Sequence, residues 1–139
     1  MNITITQQSL DEMSFERGLW PAAQLGDVRR VAELLRRRRS ADELDSSGLT
    51  ALHYACREGH LAVCVLLLDA GAAIDAPSRS GVTPLQRAAA AGHCNVVELL
   101  LQRGASLTAV DQRGRDAAAA ARAASQVATE QLLQRFNRE

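Results

Sequence analysis

The sequence predicts an all-α fold: a solenoid of four helix–turn–helix units with short hairpin-like loops, preceded by a short capping segment. Three observations predict it. Residues 48–60, GLTALHYACREGH, and 81–93, GVTPLQRAAAAGH, are two versions of one phrase. Gly48, Gly81 and Gly114 stand 33 residues apart with no insertion between them. Apolar residues make up 47% of the chain but aromatic residues only 3%, so alanine and leucine must build most of the core. Both favour helix, and a unit this small cannot bury its own apolar face without stacking on a neighbour.

In chain order, residues 1–14 form the expected capping segment. Ser9 and Glu12 have capping-box spacing, and Leu10 and Met13 share one side of a short helix that should lie over the first unit. The first unit spans 15–47, from Phe15. Ala22, Gly26, Val28, Leu34 and Leu35 keep the pattern, while Trp20 takes the place of His53. Arg17 replaces the capping threonine, and Pro21 predicts a short or kinked first helix.

The second and third units span 48–80 and 81–113. Thr50 and Thr83 are placed to cap their first helices, and Pro84 follows at a position where its missing N–H costs nothing. Gly59 and Gly92 end those helices in a left-handed turn. Second helices should run over about 61–69 and about 94–102, closed by Gly71 and Gly104. The fourth unit, 114–139, is degenerate: Asp116 replaces the capping threonine and Ala117–Ala121 replaces the Pro-Leu pattern, though Leu132 and Leu133 remain in register.

Columns of the second helix assign its faces. Leu66 and Leu99 become Glu33 in the first unit and Leu132 in the last, so this column should face the N-terminal neighbour. Cys64 and Val97 become Val31 and Glu130, and Leu68 and Leu101 become Leu35 and Gln134, so these should face the C-terminal neighbour. Polar replacement on an outer face is what the ends of a solenoid require.

These residues resemble the ankyrin repeat: a glycine turn, a Thr-Pro-Leu-His helix start, an alanine pair, a Gly-His break, a Val- and Leu-rich second helix, then Gly-Ala. The resemblance covers roughly residues 15–139, and the stretch 9–20, SLDEMSFERGLW, resembles one small member of that family. It implies a partner protein lying against a concave surface of hairpin tips and first helices. The contacts it implies are Ser46, Ser47, Leu49, Arg79, Ser80, Val82, Gln112, Arg113 and Arg115 at the tips. At the ends of the first helices they are Arg57, Glu58, Ala90 and Ala91. Arg79, Arg113 and Arg115, with Arg87 nearby, favour a partner whose acidic stretch faces units three and four.

Other chemistries fit less well. The 16 basic residues, all arginine, balance 16 acidic ones, which argues against a broad nucleic-acid surface. No apolar run reaches membrane-spanning length, and the N-terminus lacks the pattern of a secretory signal. An odd cysteine count, three, fits a reduced, cytoplasmic protein, with the nucleus open to it if Arg36–Arg39 directs import. The acidic residues Asp42, Glu43 and Asp45 that follow favour reading that run as a solvated helix end.

His53, His60 and His93 read as structural. Cys56 and Cys64 read as core residues and Cys94 as partly buried, with no metal spacing among them. No catalytic, cofactor or metal site is expected. The expected role is that of a monomeric, non-enzymatic adaptor or scaffold. The alternative is a direct protein inhibitor of an enzyme such as a kinase.

Overall fold

Units two to four begin where a polar side chain satisfies the free N–H groups of a first helix, whereas the first helix of unit one starts at Gly18 with no side-chain cap. In the computed structural model, which describes residues 18–37 and 40–138, Thr50 Oγ1 accepts the amide of His53 at 3.4 Å. His53 Nδ1 accepts the Thr50 amide in return at 3.1 Å. Thr83 and Gln86 make the same reciprocal pair at 3.3 and 3.1 Å. Asp116 accepts from the Ala119 amide at 2.9 Å, as expected, but Ala119 has nothing to return.

The result is four helical hairpins. They are α1 (Leu19–Leu25) with α2 (Val28–Arg36), α3 (Ala51–Glu58) with α4 (Leu61–Asp69), α5 (Pro84–Ala91) with α6 (Cys94–Gln102), and α7 (Ala117–Ala123) with α8 (Val127–Arg138). There is no strand among the described residues. First helices pack in one layer and second helices in another.

The expected bounds of α4 and α6 are reproduced. The segment at 1–14 with its Ser9–Glu12 spacing, Phe15 and Arg17 of the first unit, and Arg38 and Arg39 of the arginine run lie outside the described residues.

The core sits between the two layers. Ala22, Ala55, Ala88 and Ala121 are buried at successive 33-residue steps, which lets neighbouring first helices approach closely. Leu34, Leu67, Leu100 and Leu133 repeat the same interval on the second helices, also buried. The first helix of unit one has seven residues where α3 and α5 have eight, but it runs unbroken through Pro21. Pro21 is its third residue, where a backbone N–H would have no intrahelical acceptor, so the ring is accommodated without a kink.

Two columns lock each unit to the next. One reaches forward: His53 Nε2 donates to the Val82 carbonyl at 2.9 Å and Gln86 Nε2 to the Arg115 carbonyl at 3.3 Å, while Trp20 Nε1 at the same place donates to Glu43 at 2.8 Å within its own unit. The other reaches back: His60 Nε2 donates to the Gln24 carbonyl at 2.9 Å, His93 Nε2 to Arg57 at 3.0 Å, and Gln126 Nε2 to Ala90 at 3.3 Å.

The backward column explains the glycines before it. Gly26 and Gly59 have φ of 74° and 77°, and a Cβ there would stand 2.6 Å from Nδ1 of His60 and of His93. The glycine therefore makes the left-handed turn and also seats the next unit's ring.

The outermost residues of both columns differ. Ala119 has no group to reach forward with, and Asp27 caps α2 through the Arg30 amide at 3.1 Å instead of reaching back. On the second helices, Glu33 is 35% exposed and pairs with Arg37 at 2.9 Å, and Glu130 is 20% exposed and pairs with Arg122 at 2.9 Å. Neither carboxylate is fully buried, as the column argument requires.

Candidate functional site

The tips between units are held by a repeated turn. The Asp45 carboxylate accepts the amides of Ser47 and Leu49 at 2.8 and 2.9 Å. Asp111 accepts those of Arg113 and Arg115 at 2.8 and 3.0 Å. Ser78 occupies the equivalent place between them, and its Oγ accepts the Val82 amide at 3.2 Å. Neighbouring tips are joined by backbone: Arg79 N–H to Ser47 O at 3.2 Å and Gln112 N–H to Ser80 O at 3.0 Å. A surface of tips and first helices is thereby built from fixed backbone and variable side chains.

The sequence-derived contact residues distribute over two hollows on this surface. Ser47, Leu49, Arg79, Ser80 and Gln112 line one of about 340 Å³, together with Ser78 and Arg87. Val82, Ala90 and Arg115 line a second of about 330 Å³, together with Gln86, Arg87, Asp111 and three alanines of unit four. Ser46, Arg57, Glu58 and Arg113 are exposed and Ala91 is half-buried, and these five line neither hollow. Leu49 is buried at 9% exposure and reaches the surface only as a wall of the first hollow. Val82 has its carbonyl occupied by His53, and Arg115 is tied to Asp111 at 3.2 Å.

The residue common to both hollows is Arg87, which sequence reasoning put near the site without giving it a role. Its Nε is buried with no hydrogen-bond partner among the described residues. Burial, then the nearby Arg57 charge, lowers its pKa from the usual arginine value.

Tyr54 stands 33 residues earlier, and its hydroxyl donates a short hydrogen bond to the Asp45 carboxylate. Burial and that carboxylate push the Tyr54 pKa up to about 12. Burial alone raises Asp45, but the bonds from Tyr54 and from the Leu49 and Ser47 amides prevail and leave its pKa below the ordinary value. Asp111 is lowered as well, first by the Arg115 amide.

His53 is held neutral in the layer beneath. Burial depresses its pKa. Its geometry agrees: Nε2 must carry hydrogen to meet the Val82 carbonyl, and Nδ1 accepts from the Thr50 amide, so a second proton would face a donor.

Cys56 and Cys64 are fully buried with their sulfurs 3.7 Å apart, and burial, then the Cys64 contact, pushes the Cys56 thiol well up. Cys94 is half-buried and meets the Thr129 hydroxyl at 3.1 Å. Among the described residues no group of three His, Cys, Asp or Glu side chains could hold a metal ion. No described helix is long and apolar enough to cross a membrane.

Comparison with known proteins agrees with this architecture. A family model described as ankyrin repeats, in three copies, matches residues 19–111. The human protein named ankyrin repeat domain-containing protein 39 is 54% identical over 70 residues, which cover 50% of this chain and 38% of the relative. Its bovine counterpart is 55% identical over 56 residues, covering 40% of this chain and 31% of the relative. The match thus spans well under half the length of either relative.

Proposed function

Because the chain belongs to the ankyrin-repeat family, we propose that it is a protein-binding module, an adaptor or scaffold that holds its partner against the tips and first helices. One observation carries this reading: the side chains that couple the units are separate from those that remain available. His53, Gln86, His60 and His93 are engaged in inter-unit bonds. Ser47, Arg57, Arg79 and Arg113 are exposed on the tip side. Ordered backbone beneath exposed, chemically varied side chains reduces the entropy lost on binding.

The partner's chemistry belongs to the same proposal. Arg115 is paired internally, so the cations open to an acidic partner are Arg57, Arg79, Arg87 and Arg113, which lie in units two and three and not in four. A reduced, intracellular setting suits three cysteines of which two are buried thiols.

The test is a footprint. Neighbours identified by proximity labelling in the native cell are purified, and hydrogen–deuterium exchange of this chain is followed with each bound. Protection should concentrate at 46–49, 79–82 and 112–115. Protection confined to the second-helix layer, around the hollow formed by Cys94, Glu98 and Arg135, would sink the proposal.

A further inference from the structure

Building on that reading of the face, we propose that Arg87 is a seat for a single carboxylate, an aspartate or glutamate side chain presented by an acidic segment of the partner protein.

In unit two, the residue at this place on the first helix is Tyr54, and its polar end is satisfied within the chain by Asp45 of the tip. One period on, Tyr54 becomes Arg87 and Asp45 becomes Ser78. A further period on, the tip residue is again aspartate, Asp111, and it is committed to Arg115. At the one place where the helix carries a cation, the tip has given up its carboxylate. Ser78 is buried, with its hydroxyl engaged by the Val82 amide and by Ser80. Arg87 and Ser78 share the first hollow, whose volume of about 340 Å³ is ample for one carboxylate side chain.

Charge complementarity selects the occupant. Asp45, whose charge acts on Arg87, already accepts two amides and the Tyr54 hydroxyl. Asp111, which lines the second hollow with Arg87, is paired with Arg115, while Arg79 lines the first hollow and Arg57 is exposed on the adjacent helix. A guanidinium fork matches a carboxylate in geometry, and a half-desolvated one gains more from the pair than a fully solvated one. Ser47 and Ser80 add hydroxyls at the rim.

The experiment uses the full chain. A random-peptide library is panned against it, and the selected peptides are titrated into wild type, R87Q, S78D and R135Q, with the footprint of each peptide mapped by hydrogen exchange. Ser78→Asp restores the aspartate found at the two equivalent tips, so it should fold, raise the melting temperature and fill the seat from within.

Peptides bound on the tip face should contain Asp or Glu. They should lose about tenfold in affinity with R87Q and again with S78D, and lose as much when their own acid is changed to its amide. R135Q, on the opposite layer, should change affinity less than about twofold, which separates the seat from bulk attraction. Tip-face peptides indifferent to both R87Q and S78D would overturn the carboxylate seat and leave the protein-binding reading standing. Peptides that never protect the tip face would count against that reading itself. A phosphoserine peptide held through Arg87 more tightly than its glutamate counterpart would also overturn the proposal, reassigning the seat to phosphate.

Discussion

Units three and four follow one pattern and differ in the residues that reach toward a following unit. In unit three, Gln86 closes the cap with Thr83 and also bridges to the Arg115 carbonyl of unit four. In unit four, Asp116 caps alone and Ala119 does neither. Gly92 makes the left-handed turn at φ 80°, whereas Ser125 makes it at 61° with a side chain in place. The comparison separates two duties that the repeat usually gives to one residue. Starting a helix and turning its end are local tasks that several residues can perform. Coupling to a neighbour needs a donor of the right reach and a bare α-carbon to receive it.

Exchanging residues between coupled and uncoupled positions tests this separation. The largest effect is expected at Gly59→Ala, which adds left-handed strain and pushes on the His93 ring that donates to Arg57. Unfolding in urea should show a loss of about 2–3 kcal/mol. Ser125→Ala, in the same backbone conformation without that ring, should lose well under 1 kcal/mol. Equal losses would dissolve the distinction.

Next, Gln86→Ala turns unit three into a copy of unit four at that position and should cost about 1–2 kcal/mol by the same measurement, the sum of half a cap and a bridge. The reverse exchange, Ala119→Gln, supplies only the cap and should gain no more than about 0.5 kcal/mol.

His53 and Gln86 do the same work with different titration, which gives a smaller, pH-dependent contrast. The native His53 pKa is depressed below its ordinary 6.5, so the unfolded chain takes up a proton that the native ring resists. Its contribution is therefore complete above pH 6.5 and declines as pH falls through that value toward the native pKa. His53→Gln should keep the bridge and flatten the fall in urea midpoint between about pH 7 and about pH 5. An unchanged slope would mean that the imidazole is not held neutral. A further gain is expected at Ser125→Gly, which relieves the left-handed serine and should raise the melting temperature slightly, by about 0.5–1 kcal/mol in stability.

Much of the fold was legible because its determinants are local. Thr50 and Thr83 lie three residues from the groups they cap, and α4 and α6 run over the bounds that periodicity assigned them. The roles of His60 and His93 were legible only in outline: the Gly-His spacing marked them as structural, while their acceptors lie 36 residues away. The candidate site was read less fully. Its residues were placed at tips and helix ends, but Arg115 was counted as free when Asp111 holds it, and Leu49 as open when it is nearly covered. The available signal was the Asp45–Ser78–Asp111 column. It acquires meaning only when set beside Tyr54 and Arg87, residues on a different element.

By itself the sequence determined the number of units, their period, the starts and ends of most helices, and which column would be apolar. These depend on short-range capping, on glycine's access to left-handed backbone, and on burial repeated at a constant interval. Only the tertiary structure decided which polar side chains are consumed by coupling and that the Arg87 Nε is buried without a hydrogen-bond partner among the described residues. Those outcomes depend on distances between atoms a full period or more apart, set by how one unit seats on the next.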